Sequence, residues 1–530
     1  MQNDPAKVAA TLRTLAVYAA CAVLSIIIGV LMLNPLTYSA LGFLGLLAAV
    51  LLIPVLMKWH RPLMLFSWYM PAMMFFIKGD PNLFLVMIAL SITTTVVERA
   101  MGQKRFFKVP QITWPLFCLI GVIVMTAKFT GGLGLRAFGS EVYGGKKYVF
   151  LIVAILGYFA IASSPIPPER ARRYVTLYFL GGVLFFIQDL FPLVPGFLHP
   201  IFWFIPPNGF TFGGLNIATS RLQGTSAAAR YLIYALLACY GLRGIFLSGK
   251  FWRPVVFCIA FVLVFLGGYR SSVLEVLALI FIMFLLEGLY RTRLLPVVVS
   301  CMLTAGLAMI PLASKLPFSI QRSVAFLPPS VVDLGSDVRN DATDSWEWRV
   351  DMWKSLLPQI PEHLLLGKGY AISVEDFNSE MGMGAAVNSA DPAQQALALS
   401  SDYHNGPISV ILPFGIWGAI GFVWFIVASL WVLYRNYRYS IPELQRLNGF
   451  LLGAFIVTTI MFWGGSFGAG FSAFTGLIGL SVAINRGVRR QPAEETRVRN
   501  IPFSIPLRAR RGVAPSTPRL LPPNRFGSRN

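Results

Sequence analysis

From about residue 15 to residue 485 the chain is a succession of apolar runs, most of them long enough to cross a bilayer as a helix. Such a chain has little choice of fold. In lipid the backbone amides and carbonyls must find partners inside the protein, and single runs of this length do so as α-helices. The runs fall at roughly 15–33, 39–57, 62–77, 82–98, 111–127, 148–163, 174–192, 229–247, 254–267, 272–290, 294–312, 407–434, 447–464 and 467–485. They predict an all-α polytopic membrane protein with about 12–14 transmembrane helices. Composition agrees: 56% of the residues are hydrophobic, 13% are charged and the mean hydropathy is +0.67, outside the range of soluble domains. The first run follows Lys7 and Arg13, is too long for the apolar core of a secretory peptide, and reads as a retained span.

The formal net charge of +21 would point to nucleic acid in a soluble protein. Its distribution argues for topology instead. Basic residues gather in alternate connections: Lys58 and Arg61; Arg99, Lys104, Arg105 and Lys108; Arg170, Arg172 and Arg173; Arg243, Lys250 and Arg253; Arg291 and Arg293; Arg435, Arg438 and Arg446. With Lys7, Arg13 and the arginines beyond residue 485 these fall on one side, so both termini are expected in the cytoplasm and no nucleic-acid partner is implied. The five cysteines all lie in apolar runs, which implies neither a disulfide framework nor a thiolate metal site.

Residues 1–312 read as a transmembrane bundle with external loops near 128–147 and 193–229, its first five spans a scaffold almost free of ionisable groups. Residues 313–405 form one large external loop, 406–485 the C-terminal transmembrane helices, and 486–530 a basic, proline-rich tail, disordered and drawn to the anionic inner leaflet. The aromatic stretch 195–229 is suited to the outer membrane interface and ends near Arg221, which can anchor to the surface or hold a ligand.

Arg270 stands in a tight external turn, GYRSS, where a helix begins. A charge there needs a partner, either a bound phosphate or Glu275 about one turn further in, and Glu275 could also orient Arg270. Within the large loop, Asp333, Asp337, Asp341 and Asp344 lack the glycine turn and terminal glutamate of a calcium loop and read as a solvated acidic surface. The stretch DSWEWRVDMWKSLLP predicts an amphipathic helix near 345–357, started by Asp344 and Glu347, striped by Trp346, Val350, Trp353 and Leu357, and ended by Pro358. Arg349 projects beside that stripe. Gly367 and Gly369 then let the chain bend back.

His404 precedes the longest run. Ser401 or Asp402 can cap its helix and Pro407 suits the first turn. The free amides at that start disfavour an imidazolium and favour anions, which equips His404 to accept a proton next to a phosphate site. An interfacial histidine bonded to headgroups would look the same. Asp402 can orient the imidazole or serve as the cap.

Four pieces, RLQGT with Arg221, GYRSS with Arg270, WEWRVDMW followed by LLLGKGY with Arg349, and DYHNGPISVILPFGIWGAIG with His404, together resemble the O-antigen ligase and polymerase family of bacterial envelope glycosyltransferases over roughly residues 200–435. The resemblance implies a GT-C-like fold in the bacterial inner membrane with a periplasmic active site. It also implies transfer of a glycan from polyprenyl (undecaprenyl) diphosphate to a glycan, lipid A-core or protein acceptor, without metal or other cofactor. Arg270, Arg349 and, less directly, Arg221 would hold the diphosphate and His404 would serve the acceptor. The family's Ser-Arg-Gly is Tyr-Arg-Ser here. A flippase for the same lipid-linked glycan is the competing class, but it should carry mid-membrane charges and internal repeats.

Overall fold

The computed structural model describes residues 57–100, 109–134, 144–207, 221–292, 311–371 apart from 326 and 333, and 403–486 apart from 466, with scattered positions at 14–55 and 295–307. The chain divides into two units, Met1–Val488 and Arg489–Asn530, and every described residue belongs to the first. The basic tail therefore lies outside the described residues, as do most of the polar stretch 371–400 and Asp402.

The protein is an all-α polytopic membrane protein. Its principal helices are α1 (Leu83–Ala100), α2 (Pro110–Thr130), α3 (Gly145–Ala162), α4 (Pro168–Leu180), α5 (Gln223–Phe246), α6 (Trp252–Val264), α7 (Arg270–Leu286), α8 (Phe318–Val324), α9 (Ser336–Leu356), α10 (Gly406–Tyr439), α11 (Pro442–Phe462) and α12 (Phe467–Arg486). Among the described residues α1, α2, α3, α10 and α11 are long and apolar enough to cross a membrane. Helices α3 and α12, α2 and α10, α5 and α6, and α7 and α11 pack in pairs around one continuous core rich in buried aromatics, including Tyr148, Tyr158, Phe425, Phe450 and Phe471. Polar pairing ties α10, α11 and α12 together: Asn448 and Asn485 exchange hydrogen bonds of 2.9 and 2.8 Å, and Asn436 donates to Ser481. Such side-chain bonds hold helices together where lipid offers no hydrophobic drive.

Two expected spans take another form. The run at 62–77 is helical only to residue 67; residues 68–82 then fold back through turns closed by a Met73–Asn82 bridge. Pro71 and Pro81 supply no amide, and Gly79 and Asp80 take left-handed φ of 95° and 46°. The run at 174–192 breaks where Gly181 and Gly182 follow α4, continuing as a 3-10 turn, Gly181–Phe185, and a short helix, Phe186–Asp189.

Helix α10 is broken as well. Pro413 lies inside it, and Gly415 leaves helical geometry at φ 64°, where a Cβ would come within 2.5 Å of the Leu364 carbonyl. The break leaves carbonyls without helical donors, and the segment 364–369 supplies them: Lys368 N–H donates to Leu412 O at 2.8 Å and Gly369 N–H to Pro413 O at 3.0 Å. In return Ile416 N–H donates to Leu364 O at 2.7 Å. Gly367 and Gly369 make the expected bend with φ of 77° and 72°. At Gly367 a Cβ would lie 2.1 Å from Pro413 O, so only glycine fits.

Candidate active site

The turn joining α6 to α7 organises the site. A helix end leaves carbonyls unpaired, and here three of them are taken by segments that each carry an arginine. Val264 O accepts from Ser226 Oγ at 2.6 Å, Phe265 O from Ser323 Oγ at 3.0 Å, and Leu266 O from Leu222 N at 3.1 Å. Those bonds fix Arg221 just before α5 and Arg322 on α8 beside Arg270, the first residue of α7. Asp189 completes the arrangement by accepting from the Gly224 and Thr225 amides at 3.1 and 2.6 Å, so a buried carboxylate caps the start of α5.

Helix α9 brings the remaining charges. A small core of Ala313, Val324, Val332, Leu334 and Val338 seats its first turns against α8. Asp341 then accepts from Arg221 at 3.5 Å and pairs with Arg322. Burial pushes the Asp341 carboxyl above its ordinary value, while Arg221 and Arg270 pull it down. Eight residues on, about 12 Å along the axis, burial holds the Arg349 guanidinium below its ordinary value; Arg270 presses it the same way and Tyr269 opposes. Arg221, Arg270, Arg322 and Arg349, from four separate segments, thus form one electrostatic cluster. Two of the guanidinium groups repel each other at partly desolvated positions, which disposes them to an anion.

The helix differs from its sequence expectation in phase and start. It begins at Ser336 with Gly335 as the cap, so Asp344 and Glu347 lie well inside it. Trp346 and Leu357 are exposed; Met352 and Leu356 are buried against Tyr403, Ile408 and Leu412, with Trp348 and Trp353, the latter from the expected stripe, partly buried beside them. Asp341 is a partner of arginines rather than part of a solvated acidic surface.

That buried face delivers His404. Trp353 donates its indole N–H to the Tyr403 carbonyl at 2.8 Å, and Trp348 meets the His404 ring edge-on at 6.2 Å. His404 adopts φ 45°, a left-handed conformation uncommon outside glycine and tolerated where the surroundings impose it. The cap of α10 is Asn405, which accepts from Ile408 N–H at 3.1 Å; Ser401 and Asp402, the expected caps, lie outside the described residues. Arg349 and Trp348 are consecutive on α9, so a single helix links the arginine cluster to the histidine.

Glu275 belongs elsewhere. It accepts from Arg230 at 2.6 Å and Tyr234 at 2.8 Å, on the wall of a cavity of about 840 Å³ lined also by Trp68, Tyr69, Phe150, Phe179, Gln188 and Tyr231. Its expected pairing with Arg270 gives way to this one because α5 lies alongside α7 and presents Arg230 at the right height. A smaller space of about 190 Å³, lined by Gln223, Tyr269 and Ser272, shares Phe185, Gln188 and Arg230 with the large one. Arg322 and Asp341 had no signal in the sequence beyond ordinary loop composition, whereas Arg230, a charge just inside an apolar run, did.

Residues 255–423 match the family model described as O-antigen ligase. The match runs from α6 into α10 and contains Arg270, Arg322, Asp341, Arg349 and His404; Arg221 precedes it. It supports glycosyltransferase activity of the O-antigen ligase or polymerase type, acting on lipid-linked glycan in a membrane. No curated protein matches the chain.

Proposed function

From the O-antigen ligase domain carried by residues 255–423, we propose that the chain transfers a glycan from a polyprenyl (undecaprenyl) diphosphate to an acceptor hydroxyl on the periplasmic side of the bacterial inner membrane. The observation that carries this reading is the cluster of Arg221, Arg270, Arg322 and Arg349, the last of them on the helix that also holds the His404 turn.

The donor already holds its leaving group. Guanidinium groups neutralise the charge that grows on the diphosphate as the bond from the anomeric carbon to phosphate oxygen breaks, and the diphosphate leaves with the electron pair. His404 takes the acceptor hydroxyl proton as the new bond from oxygen to the anomeric carbon forms. Direct displacement inverts that carbon. The acceptor, whether a growing glycan, lipid A-core or protein, distinguishes a polymerase from a ligase.

The test is incubation of purified protein with a polyprenyl-diphosphate oligosaccharide and candidate acceptors in EDTA, followed by sizing of the products. A ladder identifies a polymerase and one defined adduct a ligase. His404→Ala is expected to abolish transfer with membrane insertion intact, and full activity in that variant would remove the base assignment.

A further inference from the structure

Arg230, Tyr234 and Glu275 take no part in the transfer step as described, yet they are arranged in a specific way. The two oxygens of one carboxylate on α7 are divided between two donors one turn apart on α5. Glu275 Oε2 accepts from Arg230 at 2.6 Å and Oε1 from the Tyr234 hydroxyl at 2.8 Å. Tyr234 is a fixed reference for this contact: it is 5% exposed, and its ring packs on those of Phe179 and Phe450 at 5.1 and 6.2 Å. The pairing therefore fits one height and one rotation of α5 against α7. A slip of a single residue would move the donors about 1.5 Å along the axis and turn them by about 100°, out of hydrogen-bond geometry.

Other contacts set that register less sharply. Helix α5 packs chiefly on α4 and α6, and α7 on α11. At the mouth of the bundle the bonds from Leu222 and Ser226 tie α5 to the end of α6. Helix α7 follows only after Gly268, left-handed at φ 69°, and Tyr269. A glycine at that turn admits other backbone angles, so the course of α7 has to be fixed from within the bundle. Stability alone does not call for charges there. The Arg230 and Glu275 side chains are only 23% and 22% exposed, and apolar residues of similar volume commonly stabilise a buried place as well or better; the best-attested use of such a pair is to specify register. Register matters here because Arg221 lies two residues before α5 and Arg270 is the first residue of α7, so both helix starts stand within about 10 Å of the pair along their axes.

We propose that Arg230, Tyr234 and Glu275 are positioning residues, which lock the register of α5 on α7 and so hold Arg221 and Arg270 in the mutual geometry that an anion requires. The proposal rests on the transferase reading only in taking the arginine cluster as an anion site. It uses none of the transfer chemistry.

The experiment is calorimetric titration of the full-length protein in detergent with sulfate, with the melting temperature of each variant taken in the same detergent. A triple variant, Arg230→Met, Tyr234→Phe and Glu275→Leu, removes the lock, fills its space and leaves the local net charge unchanged, so a change in field cannot account for its behaviour. It is expected to melt as high as the parent or higher while binding sulfate about tenfold more weakly, the order of one charge-assisted hydrogen bond. Tyr234→Phe alone loses one of the two bonds and keeps the ion pair. It is expected to weaken sulfate by about threefold, a fraction of one such bond, and it decides the matter if the triple variant does not fold. Parental sulfate affinity in the deciding variant, or a loss of affinity that only follows a loss of melting temperature, would reduce the three residues to a structural contact. Absence of sulfate binding by the parent would remove the anion site and the proposal with it. Because turnover is not read, a parent that binds sulfate and variants that lose it support the lock even where no transfer is detected.

Discussion

Replacing Trp353 with phenylalanine isolates the contact by which α9 holds the His404 turn. The change keeps an aromatic ring against α10 and removes one indole N–H, which donates to the Tyr403 carbonyl at 2.8 Å. Tyr403 is only 6% exposed, so water does not readily replace the donor. A buried carbonyl left without its partner costs about 1–3 kcal/mol. The left-handed conformation of His404, at φ 45°, costs of the same order, about 1–3 kcal/mol, and persists because its surroundings impose it. Removing the bond therefore brings relaxed backbone conformers within reach, and a shift of about 1–2 kcal/mol lowers the competent population about 5- to 30-fold. The assay is initial transfer rate at varied donor and saturating acceptor. The expected result is a fall in kcat of that size with donor KM unchanged, since Asp341 and Arg349 sit on other turns of α9. If Trp353→Phe matched the parent in kcat while His404→Ala was inactive, the bond would not position the histidine. A rise in donor KM equal to the loss in kcat would mean that α9 had moved as a whole.

The other predictions concern the same helix and its neighbours. Arg349→Lys should raise the donor KM about 10- to 100-fold, because a point charge does not reproduce the planar fork and charged hydrogen bonds are worth about 1.5–3 kcal/mol; a lysine variant with parental kinetics would argue against a phosphate contact. Asp341→Asn frees Arg221 and Arg322 of their counter-charge, so sulfate should bind several-fold tighter by calorimetry, unless the carboxylate does not compete with anions. Burial raises the Asp341 carboxyl, so protonation comes at higher pH than for a free carboxylate. Sulfate binding to the parent should then strengthen as pH falls through that raised value, and binding to Asp341→Asn should not follow the same curve. Gly367→Ala places a Cβ 2.1 Å from Pro413 O at φ 77°; it should lower the melting temperature in detergent, and a neutral result would mean the loop can shift away from α10 at little cost.

The parts of this architecture that were legible in the sequence are those governed by local chemistry. Apolar run length announces helices, and tight glycine bends announce themselves at 367 and 369. Arg270 stands out because a charge at a helix start between apolar runs has few explanations. What escaped is set by pairing across the chain. Arg322 sits in a seven-residue helix whose composition resembles any loop, and its significance comes from Ser323 reaching the Phe265 carbonyl. Asp341 looks like its acidic neighbours until Arg221 and Arg322 are brought to it. Three tryptophans within eight residues allow more than one apolar stripe on α9, and docking on Tyr403 and Leu412 selects Met352 and Leu356, with Trp348 and Trp353 beside them. Glu275 is one candidate partner for the nearby Arg270 by sequence, whereas it pairs with Arg230, which comes from 45 residues away.

The join between residues 364–369 and the interrupted α10 is made by main-chain atoms, and it has an evolutionary consequence. Leu364, Lys368 and Gly369 make the seam with backbone atoms, and the side chains of Leu365, Leu366 and Lys368 are exposed, so the identities at 365, 366 and 368 are free to drift without loosening the joint. Selection is concentrated on Gly367, Pro413 and Gly415, where a side chain or a restored amide would collide with the seam. A saturation library across 364–369 should accordingly return nearly every residue at 365, 366 and 368 and almost nothing but glycine at 367.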